Sequence, residues 1–150
     1  MNQDSILVGC AHCGAKNRVP GNRVREQAVC GKCRRPLSMA NRYPDGAVDV
    51  IDRDFNTQIL AFPGPVFVFF WSPNCGYCRR MLPDVDTLAR DYAGRIKFAK
   101  VLLDQNPVSG SNYAVQSVPT LIFMKKGRQV DRVTGALPRM ELDRYLSRLL

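Results

Sequence analysis

No stretch of this chain is apolar enough to cross a bilayer: the longest uninterrupted apolar run, Val66–Trp71, spans six residues, against about 20 for a membrane helix. The N-terminus, Met-Asn-Gln-Asp, offers only the patch Ile6–Val8 and lacks the pattern of a secretory leader. A cytoplasmic setting without a membrane partner is therefore expected. No cysteine stands alone. All six fall in C-x-x-C pairs, Cys10/Cys13, Cys30/Cys33 and Cys75/Cys78, and in a reducing compartment such pairs read as metal ligands or redox catalysts rather than structural staples. The first 44 residues have few large apolar side chains, which excludes a self-sufficient core there and calls for a metal or disulfide clip. They also lack a dense run of aromatics between their basic residues, which weighs against nucleic acid as a partner.

The remainder is ordinary globular material. The chain has 150 residues, is 45% hydrophobic and carries a net charge of +9. The charge is uneven: residues 1–44 hold eight Lys/Arg against Asp4 and Glu26, a net of +6, and residues 45–150 hold fourteen against eleven, a net of +3. Turn chemistry at Asn41, Pro44, Asp45 and Gly46 places a domain boundary after residue 44, giving a module over 1–44 and a domain over 45–150. Beyond the boundary, strands and helices alternate. Ala47–Ile51 reads as a short strand, and Asp52 as the N-cap of a helix carrying Phe55, Ile59 and Leu60. Val66–Trp71 reads as a strand buried on both faces, followed by a helix from Cys75 to near Gly94 with Cys78, Leu82, Val85, Leu88 and Tyr92 at helical spacing. Ile96–Leu103 is a further buried strand. Thr120–Met124 and Gln129–Thr134 flank a hairpin turn built on Gly127, and Pro138 opens a last helix. This order predicts an α/β fold: a mixed central sheet flanked by helices, preceded by a small cysteine-clipped module.

Cys10-x2-Cys13-x16-Cys30-x2-Cys33 has the spacing of a four-cysteine zinc site, because two knuckles facing across a ribbon supply tetrahedral thiolates. One structural zinc ion is expected, with no organic cofactor. A pair of disulfides or free thiols is the other reading, and His12, inside the first knuckle, is expected to stand outside the ligand set. Cys75-Gly76-Tyr77-Cys78 differs in its position. It follows a buried strand and opens an amphipathic helix, where unsatisfied N–H groups, the helix dipole and adjacent Arg79 and Arg80 favour a thiolate at Cys75. A third zinc knuckle would need a matching fourth pair, and the sequence has none.

The run Val66–Arg79 (VFVFFWSPNCGYCR), with Ala99–Pro107 (AKVLLDQNP), Ser117–Thr120 (SVPT), Lys126-Gly127 and Gly135-Ala136-Leu137, resembles the thioredoxin family. With the preceding ribbon, the whole chain is similar to the zinc-containing thioredoxin 2 group. The resemblance implies a thioredoxin fold and a thiol–disulfide oxidoreductase that reduces protein disulfides, with Cys75 attacking and Cys78 resolving. It implies that Trp71 packs beside the active site, that Gly76 lies within it, and that Pro83 kinks the active-site helix. Pro119 would be a cis-proline, Val118 would offer backbone hydrogen bonds to substrate, and Gly135 would let the substrate chain approach. Disulfide-bearing proteins and a thioredoxin-reductase-like flavoenzyme would be the partners.

Three departures stand out. Tyr77 replaces the family's proline, Asn74 replaces its tryptophan, and Phe69 replaces its buried aspartate. Without that carboxylate the proton of Cys78 needs another route, through water or Lys100. Loss of a buried negative charge also favours thiolates and a more oxidising couple. An isomerase-like or specialised thiol donor is therefore an alternative. A second alternative is a basic zinc-ribbon module that binds nucleic acid or an acidic protein.

Overall fold

The computed structural model describes residues 5–20, 27–37 and 42–150. Arg23 and Arg25 of the basic segment and Asn41 of the expected boundary lie outside the described residues. The N-terminal part is built on a three-stranded antiparallel sheet ordered β2-β1-β3, from β1 (Ser5–Gly9), β2 (Lys16–Pro20) and β3 (Arg42–Tyr43). Val8, Cys10, Val19, Cys30 and Leu37 form a small buried cluster within it.

The second part carries a five-stranded sheet ordered β4-β6-β5-β7-β8. Its strands are β4 (Val48–Asp49), β5 (Pro65–Trp71), β6 (Lys97–Leu102), β7 (Thr120–Lys125) and β8 (Arg128–Thr134). β4, β6 and β5 run parallel, whereas β7 is antiparallel to β5 and β8 to β7, so the sheet is mixed as expected. The near-continuous apolarity of β5 follows from its central place: Val66, Val68 and Phe70 enter the core on one face and Phe67 and Phe69 that on the other. Helix α1 (Gly76–Asp91) and α3 (Arg139–Leu149) lay Cys78, Val85, Leu88, Leu142 and Leu146 against the second face. Pro83 sits inside α1 without ending it, although it has no N–H for the helical ladder. The β7–β8 turn is the two-residue loop Lys126-Gly127, both at positive φ (54° and 77°), the conformation whose twist suits a tight hairpin.

Two elements depart from expectation. The helix expected after Asp52 is a 3-10 turn at Asp52–Asp54 followed by a π turn at Asn56–Leu60. Asp52 does not cap it. Its carboxylate instead accepts from the backbone N–H of Val108 (3.1 Å) and Ser109 (2.8 Å) and from Ser109 Oγ (2.6 Å), capping α2 (Pro107–Asn112). That helix carries no strong signal in its own sequence.

The ribbon packs on the larger part at the end remote from Cys75. Leu7 and Tyr43 enter the first core cluster, and Tyr43 meets Phe62 edge-on at 5.0 Å. Gly94, just past α1, has φ +87°, and a Cβ there would stand 2.7 Å from the Lys16 side chain. Cys75 caps the opposite end of this 16-residue helix, which is about 24 Å long.

Candidate active site and candidate metal centre

At the strand-to-helix junction, Cys75 is the N-cap of α1 and its sulfur accepts from the Cys78 backbone N–H at 3.1 Å. This satisfies an orphan donor of the helix start and places the sulfur at the positive end of the dipole. The loop before it is fixed by Ser72, whose carbonyl accepts from Cys75 N–H at 3.1 Å and whose hydroxyl donates to Asp104 at 3.2 Å. On its other side the Cys75 thiol donates to the Val118 carbonyl at 3.7 Å. The Val118–Pro119 bond is cis. Gly135, at φ +111°, donates its N–H to the Pro119 carbonyl at 2.8 Å. Cys75, Val118, Pro119 and Gly135 are thus linked in one hydrogen-bonded neighbourhood, with Cys75 half-buried and Gly76 and Tyr77 exposed in front of it.

Cys78 lies one position short of a full turn further on and is fully buried. Burial pushes its thiol up to about 12, and the adjoining Cys75 sulfur adds to the rise. The acidifying effect expected from Phe69 is therefore outweighed at Cys78. Phe69 is itself 0% exposed, packed against Phe67 with ring centroids 6.5 Å apart, and offers no proton acceptor. Lys100 is in register with Phe69 across β5–β6, and its ammonium approaches the Asp49 carboxylate at 3.9 Å. Trp71 packs against the Cys78 side of the core, and its indole Nε1 is buried without a partner among the described residues.

The other four thiols converge. Cys10, Cys13, Cys30 and Cys33 have sulfurs all within 4.8 Å of one another, with Cys10–Cys33 and Cys13–Cys30 each at 3.6 Å. Tetrahedral zinc with 2.3 Å bonds needs sulfurs about 3.8 Å apart, so the donor set fits that ion and is far too open for disulfides. Each knuckle repeats one pattern. Cys10 N–H donates to Ala15 and Gly14 N–H returns to Cys10, both at 2.9 Å; Cys30 N–H donates to Arg35 and Arg34 N–H returns to Cys30, both at 2.8 Å. Gly14 and Arg34 both adopt positive φ, which turns the chain back after the second cysteine.

Backbone N–H groups of Cys33 and Lys32 pull the Cys30 thiol down to about 5. At Cys13 the Ala15 N–H acts downward, but burial and the neighbouring sulfurs outweigh it and push that thiol up to about 11. Four sulfurs this close cannot all ionise without a cation among them. Asn17, which the sequence did not single out, ties the knuckles together: Nδ2 reaches the Cys30 sulfur at 3.6 Å and Oδ1 accepts from Gly31 N–H at 2.9 Å. His12 stands outside the cluster, its Nδ1 2.9 Å from Arg35 Nη1.

The comparisons with known proteins agree with this geometry. Residues 46–148 match the thioredoxin family model. The chain belongs to the thioredoxin family. Residues 9–35 match the N-terminal zinc-ribbon model of thioredoxin 2, so the four-cysteine cluster lies in a zinc ribbon. Among curated relatives, thioredoxin 1 of Nostoc sp. is 43% identical over 104 residues, 69% of this chain and 97% of its own length. Thioredoxin C-3 of Corynebacterium nephridii is 32% identical over 145 residues, 97% of this chain and 96% of its own length. The chloroplastic thioredoxin M4 of Arabidopsis thaliana is 42% identical over 99 residues, 66% of this chain and 51% of its own length. This thioredoxin-family chain is a thiol–disulfide oxidoreductase, a protein-disulfide reductase, and disulfide-bearing proteins are its general class of substrate. No helix among the described residues is long and apolar enough to cross a membrane.

Proposed function

We propose that Cys75 is the attacking thiolate and Cys78 the resolving thiol of this reductase. The observation that carries the assignment is the asymmetry of the pair: Cys75 is half-buried at the helix N-cap, accepting the Cys78 N–H, whereas Cys78 is fully buried. The Cys75 sulfur attacks one sulfur of a substrate disulfide, forming a mixed disulfide as the substrate S–S bond breaks and its other sulfur leaves as a thiolate. Cys78 then gives up its proton and attacks the Cys75 sulfur, and the second substrate sulfur leaves. The substrate gains two electrons, the protein loses two, and the two displaced thiolates take up the two protons. The Val118 backbone beside cis-Pro119 and the open approach at Gly135 support an extended substrate strand docking across Cys75. Trp71 and Gly76 frame the pair. Buried Phe69 offers no proton acceptor, and the proton of Cys78 leaves through water.

The remaining assignments belong to the same proposal. Cys10, Cys13, Cys30 and Cys33 hold one structural zinc ion, the ribbon and linker occupy residues 1–44, and the thioredoxin domain occupies 45–150. The protein works in the cytoplasm and is returned to the dithiol by a thioredoxin-reductase-like flavoenzyme. Phe69, in place of the family's aspartate, favours a second reading, an isomerase-like or donor role at a more oxidising potential. Replacing Cys78 by Ser is the test of the exchange mechanism: mixed disulfides accumulate on Cys75 if it is right, and none form if it is wrong. A reduction potential near the thioredoxin value of about −270 mV supports the reductase, and one near about −180 mV the second reading.

A further inference from the structure

One feature beside Cys75 takes no part in the exchange chemistry or in the ribbon. Tyr77, early in the first turn of α1, is 61% exposed, and the Arg80 guanidinium lies over its ring, 4.6 Å from the centroid. Arg79 donates its N–H to the Cys75 carbonyl at 3.1 Å, so it stands one turn beneath the reactive sulfur. All three side chains are exposed. Neither arginine has an ion-pair partner among the described residues. Among the described residues the ion pairs are Arg18–Asp45, Lys100–Asp49, Arg139–Asp91 and Arg144–Glu141, and Asp84, spaced to pair with Arg80 along the helix, does not do so. The carboxylate tied to the loop before Cys75 is Asp104, held by Ser72 Oγ at 3.2 Å. The α1 side of the thiol therefore combines two guanidinium groups without an ion pair among the described residues, the positive end of a helix and an exposed ring.

We propose that Tyr77, Arg79 and Arg80 form a docking platform for an acidic segment next to the target disulfide, so that this reductase prefers substrate proteins with Asp and Glu flanking the attacked cysteine. The proposal rests on Cys75 being the attacking thiol. A guanidinium presents a planar fork of donors matched to a carboxylate, and the contact of Arg80 with the Tyr77 ring narrows the positions it takes, which reduces the ordering cost of docking. Two positive charges beside the reacting sulfur also steer an acidic partner toward it. Docking makes and breaks no covalent bond, so the preference falls mainly on KM.

Three disulfide peptides, identical except for Glu, Ser or Lys at the four positions around the attacked cysteine, test the platform. At low ionic strength the protein reduces the Glu peptide with a kcat/KM roughly tenfold above the Ser peptide, the Lys peptide is slowest, and added salt compresses the series. The double variant R79Q/R80Q brings the Glu-to-Ser ratio close to one, and R79E/R80E inverts the order in favour of the Lys peptide, which a purely structural role of these side chains would not do. Tyr77→Phe retains the ratio, whereas Tyr77→Leu lowers it. Equal rates on the three peptides, or a Glu preference that survives in R79E/R80E, overturns the platform while leaving the reductase reading intact. Turnover of the Ser peptide by Cys75→Ser overturns the assignment of Cys75, and the platform with it.

Discussion

The ribbon and the thioredoxin domain use the same four-residue motif for opposite purposes, and the residue after its second cysteine separates them. In the ribbon that residue is Gly14 or Arg34, each at positive φ, so the chain folds back and the carbonyl of the next residue, Ala15 or Arg35, accepts from the first cysteine's N–H. Two such returns face each other and bring four sulfurs within 4.8 Å. In the domain the residue is Arg79, which continues into a 16-residue helix. No second knuckle can face Cys75 and Cys78; Cys75 meets the Val118 carbonyl beside a cis peptide bond. Convergent sulfurs suit a cation that stays, whereas a half-exposed sulfur backed by a buried one suits a partner that comes and goes.

The largest expected effect breaks the ribbon half of this contrast. Cys30→Ser removes a buried thiol from the four-sulfur cluster, and zinc binding by centres of this type supplies about 10–16 kcal/mol. Zinc content should fall to zero, and amides of β1 and β2 should lose hydrogen-exchange protection while β5–β7 keep theirs. A smaller effect is expected in the domain. Phe69→Ala empties a fully buried aromatic site and should cost about 3–5 kcal/mol in denaturant unfolding, without changing bound zinc.

The resolving step sharpens the contrast through pH. Because burial pushes the Cys78 thiol up to about 12, its thiolate fraction increases as pH rises toward that value. In a preformed mixed disulfide burial still raises the Cys78 thiol, although the Cys75 sulfur no longer adds to it, so resolution should accelerate as pH rises from about 7 to about 9; a flat rate across that interval would deny the role of Cys78. Stability runs the other way: the raised value favours the folded dithiol at and below the ordinary thiol range, an advantage lost as pH climbs through about 12. The smallest effect is at Asn17. Its Ala variant loses the hydrogen bonds to the Cys30 sulfur and Gly31, and zinc affinity, measured by chelator competition, should weaken about tenfold.

Much of this arrangement was legible in the sequence because the signals are local. The spacing of the ribbon cysteines, the apolar run of β5, the periodicity of α1 and the turn at Gly127 each announce an element within about ten residues. What escaped depends on distant partners. The helix α2, built from Pro107–Asn112 with Ser, Gly and Asn, is a poor helix former whose cap, Asp52, comes from 57 residues before Ser109. For the same reason Asp52, engaged there, does not start the helix expected at its own position. Asn17 reads as an ordinary strand residue until the second knuckle is brought against it. The high thiol value of Cys78 follows from burial under β5 and α1, which the identity of Phe69 alone could not reveal.

The central claim is that the six cysteines divide into two exchanging and four metal-bound. A redox titration of the zinc-loaded protein, followed at each potential by thiol alkylation with mass mapping and by zinc content, tests it most directly. The account predicts one two-electron transition in which only Cys75 and Cys78 become protected from alkylation, with one zinc per chain retained throughout. Zinc release at the same potential, or a disulfide mapped to Cys10, Cys13, Cys30 or Cys33 within that transition, would contradict it.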